Sequence, residues 1–172
     1  FFRSMEPETA KLRAPSREKD AQDIWQDNCL ELFLAPARNA ENGCQFIINS
    51  AGSSSDNRFG PGYTDWKWDG GAEFKVHVEP GKYWDLEIRI PRRNPGMLSG
   101  DSIMANVCRH RVVDGEKNSY DTWSPFVTGS NRKISAYGEL LFQAPEDNNL
   151  IDTPDFDKPV RGKRFIGKWF AG

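Results

Sequence analysis

Alternation with a period of two runs through most of this chain and constrains its fold more than any other feature. In "CLELFLA" Leu30, Leu32 and Leu34 alternate with Glu31 and Phe33; in "QFIINS" Phe46 and Ile48 alternate with Gln45, Ile47 and Asn49. Successive side chains of a strand point to opposite faces, so one set goes to a core and the other lines a second face. "AEFKVHVEP" repeats the pattern with Phe74, Val76 and Val78, and "YWDLEIRIP" with Trp84, Leu86, Ile88 and Ile90; the Gly-Lys between them is a short hairpin turn. Further strands are expected at 102–110 and 138–143, "FFRS" reads as the end of a strand, and helix is confined to a short turn near Glu8 to Arg13. Short alternating strands separated by Gly, Pro, Asn and Asp predict an all-β fold, an antiparallel β-sandwich of the jelly-roll or immunoglobulin-like kind.

Long loops then carry whatever function there is, and three stand out, at 13–27, 50–71 and 111–137. Lys+Arg (23) nearly balance Asp+Glu (25) over 172 residues, so no field of one sign draws in nucleic acid or an anionic surface. No apolar run is long enough to cross a bilayer, so neither nucleic acid nor membrane insertion is expected.

Three cysteines, an odd number, argue against a disulfide framework. If the first two long strands form a hairpin, Cys44 faces the end of the first and Cys29 sits several residues away, so all three read as buried small apolar residues. His77 and His110 lie in separate strands without zinc spacing, and read as solvated. Asp20, Asp23, Asp27 and Asp56 are loop acids able to offer oxygen to a calcium ion, although loop acids are more often simply solvated. Asp85 and Glu87 share one open strand face rather than opposing each other across a cleft, and no phosphate loop, serine elbow or Cys–His pair is present. The expectation is a protein that is not an enzyme.

The chain of motifs "IWQDNCLELFLAP", "CQFIINSAG", "YWDLEIRIP", "GDSIMANVCRHR", "TWSP" and "YGELLF" resembles the family 9 carbohydrate-binding modules and related domains over residues 1 to about 143. The resemblance implies a non-catalytic β-sandwich that binds a mono- or oligosaccharide or a polysaccharide end. In some members a structural calcium ion is held. It further implies a larger modular protein that is extracellular, periplasmic or at the cell surface, with the opening strands of the domain upstream of Phe1. The segment 144–172 reads as a linker followed by "NLIDTPDFDKPVRGKRFIGKW", which looks like the start of a second, galactose-binding-like jelly-roll module. Other domains of the same parent protein are then partners.

Such modules clamp a sugar between two Trp rings and bond it through Glu, Arg and Asn. Matched residue by residue, Trp25 stands at the first ring, Glu31 at the acid and Asn49 at the amide. Ile47 stands where the Arg belongs, and Tyr137 is the lone aromatic residue in the loop of the second ring. Trp66 and Trp68, which share a face at strand spacing, either supply that ring or pack together at the start of a strand. Trp123 in "TWSP" matches a structural position. The alternative function, favoured by Ile47 and the absent second Trp, is a spacer or interaction domain of the same fold.

Overall fold

The computed structural model describes residues 1–91, 102–124 and 130–141, so the segment 144–172 lies outside the described residues. Its strands are β1 (Phe2–Met5), β2 (Cys29–Ala35), β3 (Gly43–Asn49), β4 (Ser54–Gly60), β5 (Tyr63–Asp65), β6 (Glu73–Glu79), β7 (Tyr83–Arg89), β8 (Ser102–Arg111), β9 (Ser119–Thr122) and β10 (Gly138–Leu141). Three single 3-10 turns, at Thr9–Lys11, Ile24–Gln26 and Ile134–Ala136, are the helical elements among the described residues.

The strands form two antiparallel sheets packed as a sandwich. The smaller has three strands in the order β1-β7-β6; the larger has seven, in the order β10-β8-β2-β3-β4-β5, with β9 also pairing β8. "FFRS" is a strand end as expected, paired with β7 so that Arg3 lies opposite Asp85 and makes a two-pronged ion pair with it. The β6–β7 hairpin and the β2–β3 hairpin form as the alternation requires, the latter with Leu34 opposite Cys44.

Between the sheets lie the alternating apolar residues read from sequence. Leu30, Leu32, Leu34, Phe46 and Ile48 of the larger sheet meet Trp84 and Leu86 of the smaller, all nearly or fully buried. Each such side chain contributes about 1.5–3 kcal/mol by leaving water. One end of this layer is closed by Glu6, which is fully buried and accepts bonds from Arg111 Nε (2.6 Å) and Arg109 Nη2 (2.9 Å). Burial alone would raise the Glu6 pKa; bonds from Arg111 and the Glu8 amide hold it below the usual carboxylate range.

Two strands fall inside a stretch that alternation leaves as a loop. Residues 50–71 contain β4 and β5, and β4 pairs with β3 over six residues from Gly43↔Phe59 to Ile48↔Ser54. Its sequence, "SSDNRFG", carries no apolar face beyond Phe59, and its buried residues Ser55, Asp56 and Asn57 are polar. Hydrophobic periodicity does not register such a strand.

Candidate functional site

The face of the larger sheet that points away from the core carries the polar half of the alternation, and it is covered as well. Glu31 is 4% exposed, Gln45 4% and Asn57 0%. The covering material is the segment around Ile134–Tyr137, which the sequence places in a surface loop, with the Tyr120 side chain reaching across from β9 beside β8; Ile134 and Tyr137 pack with Phe33, Phe59, Met104 and Cys108 into a second apolar cluster. The outer face of the larger sheet is therefore buried at this end, where the alternation implies an open surface.

Register sets the chemistry of this face. Glu31 lies opposite Ile47 and Cys108, and Gln45 opposite Phe33 and Asn57. Gln45 Nε2 and the Tyr120 hydroxyl each donate to one oxygen of Glu31. Asn131 Nδ2 donates to the Tyr120 hydroxyl at 2.6 Å, and Asn57 Nδ2 to Gln45 Oε1 at 3.2 Å. Arg132 donates to Gln45 Oε1 (2.9 Å) and Thr64 Oγ1 (2.8 Å), with its guanidinium carbon 4.9 Å from the centre of the Phe59 ring. Burial pushes the Glu31 carboxyl up, against bonds from Tyr120 and Gln45 and the charge of Arg132 that favour its ionised form. Burial and the Glu31 charge push the Tyr120 phenol up, so it stays a neutral donor. Burial lowers the Arg132 pKa.

Aromatic rings stand around this polar floor. Trp25 sits on the 3-10 turn Ile24–Gln26, 48% exposed, while Ile24 anchors the turn in a cluster with Cys29 and Ile47. Trp66 is half-buried against the same cluster, which holds Ile47, the neighbour of Glu31 across the ladder. His110 Nδ1 donates to the Trp25 carbonyl at 2.8 Å, and its ring lies 5.5 Å from that of Tyr120, which is 41% exposed. His110, read as solvated, is thus the link between the Trp25 turn and β9.

Glu31 and Trp66 both lie beside Ile47, the Trp25 turn is tied to His110, and the other expected site residues lie elsewhere. Asn49 is fully buried: its amide donates to Asp27 and the Pro15 carbonyl, and its oxygen accepts from the Ala51 and Ser53 amides, so it ties loops together. Tyr137 is 2% exposed, with its ring against Phe33 and its hydroxyl on the Asn131 carbonyl. Trp66 and Trp68 do not share a face. β5 ends at Asp65, and Trp68 packs instead on the core side, 5.8 Å from Phe46. Trp123 lies over Gly138, where a Cβ would come within 2.6 Å of its ring.

Of the four aspartates read as loop acids, Asp56 lies on β4 instead, and Asp23 and Asp27 are held by an arginine. Arg17 takes Asp27 with two bonds and Asp23 with one, all at 2.7 Å, and among the described residues no group of three or more His, Cys, Asp or Glu side chains could hold a metal ion. All three cysteines are buried and free, with burial pushing Cys44 up to about 12 and the other two also upward.

Tyr120, Asn131, Arg132, Gln45 and Asn57 are the residues that sequence reading missed. Gln45 was legible as sharing a face with Glu31, and Tyr120 with Thr122 alternates within "SYDT". That Tyr120 reaches Glu31 depends on the pairing of β9 with β8, which no local pattern encodes.

No family model matches the chain, and no curated protein matches it. Among solved structures it is similar to that of a candidate carbohydrate-binding protein from Bacteroides uniformis, with 19% identity, a TM-score of 0.62, and coverage of 82% of this chain and 71% of the other. At that identity the likeness is one of fold, a β-sandwich.

Proposed function

We propose that this chain is a non-catalytic carbohydrate-binding module whose site is the end of the larger sheet ringed by Trp25, Tyr120 and Trp66. The observation that carries the reading is the exposed Tyr120, its hydroxyl held by Glu31 and Asn131, joined through His110 to the turn that carries the exposed Trp25. A pyranose has apolar C–H faces and a rim of hydroxyls, so it needs a flat ring for the first and amides, hydroxyls or charged groups for the second. Glu31 acts from beneath: nearly buried, it fixes the Tyr120 hydroxyl and leaves contact to groups nearer solvent. The resemblance of the motif chain and the likeness in fold to the Bacteroides protein support the reading. It carries with it a larger modular parent at an extracellular, periplasmic or cell-surface glycan, with no catalytic step.

One observation favours a spacer or interaction domain instead. Ile47, fully buried, stands at the Arg position, and both Glu31 oxygens already hold a donor. Titrating intrinsic Trp fluorescence with a panel of mono- and oligosaccharides, on the native chain and on Trp25→Ala, separates the two. The binding reading expects a saturable change that the substitution abolishes. No response across the panel, from folded protein, would assign the fold to spacing or interaction.

A further inference from the structure

The exposed Trp25 ring stands on a support too short to hold it unaided. The 3-10 turn Ile24–Gln26 is three residues long and has no side-chain cap, and a single helical turn is not stable by itself. Its ends are pinned from outside: Ile24 is buried against Cys29 and Ile47, and Arg17 draws in Asp23 and Asp27 on either side. The residue between them is held at its own carbonyl. His110 Nδ1 lies 2.8 Å from the Trp25 oxygen, and Cys29 Sγ, a weak donor, approaches the same oxygen at 3.8 Å. A carbonyl oxygen only accepts, so Nδ1 is the nitrogen that carries the proton, and it keeps that proton when the imidazole becomes charged.

His110 is placed to serve as an anchor. It sits on β8 opposite Cys29 of β2 and Tyr120 of β9, so ladders on both sides fix its backbone. Its ring leans on that of Tyr120 with centres 5.5 Å apart, and the Tyr120 hydroxyl is in turn held by Glu31 and Asn131. One imidazole therefore ties the Trp25 backbone to the Tyr120 ring. Two exposed rings that must meet one ligand bind it at lower entropic cost when their spacing is set beforehand.

We propose, resting on the reading that Trp25 and Tyr120 meet the sugar, that His110 is the positioning residue of this site. Through the Trp25 carbonyl it fixes the first ring relative to the second before the ligand arrives, and it acts through Trp25 rather than on the sugar. The donor at Nδ1 is the part of the side chain that does this; the ring on Tyr120 is its footing.

The test compares the whole 15N-labelled chain in native form with His110→Phe, which keeps a ring against Tyr120 and removes the donor, and with His110→Asn, whose amide nitrogen stands as many bonds from the backbone as Nδ1 and restores it. In the sugar-free protein the heteronuclear NOE of the Trp25 indole N–H should fall in His110→Phe and return in His110→Asn, with that of buried Trp84 unchanged throughout. Affinity for the tightest-binding sugar of the panel, read by Trp fluorescence, should weaken about fivefold or more in His110→Phe and come within about twofold of native in His110→Asn. An unchanged Trp25 NOE in His110→Phe, native affinity in that variant, or an affinity in His110→Asn as weak as in His110→Phe would overturn the proposal. A native chain that binds no sugar, while Trp25 still loosens in His110→Phe, would refute the sugar reading and uphold the tether.

Discussion

The two faces of the seven-stranded sheet are both buried, and they differ in what buries them. The inner face is filled by Leu, Ile, Phe and Trp from two sheets, a packing that is non-directional and tolerant of exact position. The outer face is covered by the 130–137 segment and the Tyr120 side chain, and alongside its apolar cluster runs a chain of directed bonds from Asn57 through Gln45 to Glu31, Tyr120 and Asn131. A fold is held by the first kind of layer. A recognition site needs the second kind, because positions fixed by hydrogen bonds define where a ligand's own groups must go.

Substitutions on the two faces should therefore separate. The largest loss belongs to the inner face: Trp84→Ala, in a position with no exposure, should cost about 3–5 kcal/mol by chemical denaturation. On the outer face Arg132→Ala removes bonds to Gln45 and Thr64 and the stack on Phe59, and should cost about 2–3 kcal/mol. A double-mutant cycle with Glu31→Ala should show coupling above about 0.5 kcal/mol, since both residues hold Gln45; strict additivity would sink the network.

Asp56 is the polar intruder on the inner side. Burial, with help from the charges of Asp69 and Asp20 and against the bond from the Gly70 amide, raises its folded-state pKa to about 6 from an ordinary 3.8. The folded chain thus holds this proton more tightly than the unfolded one. Its contribution is most favourable below pH 3.8 and is lost as pH rises through 6. Asp56→Asn should accordingly stabilise by about 1–2 kcal/mol at pH 8 and by almost nothing near pH 4, measured as thermal melts across that range. The smallest effect on stability belongs to the site itself: Trp25→Ala should change it by less than about 0.5 kcal/mol while removing the sugar response.

How much of this was legible follows the same division. Leu30, Leu32, Leu34, Phe46, Ile48, Trp84 and Leu86 announce the core through alternation, and the sandwich follows from them. Trp25 is exposed on its turn and Glu31 nearly buried, a difference in exposure that alternation does not encode. Asn49 and Tyr137 were misassigned because the residue type fits two jobs: a buried amide can close a turn and a tyrosine can fill a cluster, and only tertiary partners decide. Trp66 and Trp68 part because the strand ends at Asp65 and the chain passes the sheet edge between them. β4 is silent because its buried residues other than Phe59 are Ser, Asp and Asn, paired with β3 and without an alternating apolar face.

The tryptophans report on both faces at once, which makes one measurement decisive. In a 1H–15N titration with the tightest-binding sugar from the panel, the indole N–H resonances of Trp25 and Trp66 should move together and saturate at one affinity. Those of Trp68 and Trp84, on the core side, should stay fixed. Saturable shifts at Trp68 or Trp84, with Trp25 and Trp66 unmoved, would contradict the assignment of the outer face as the binding surface.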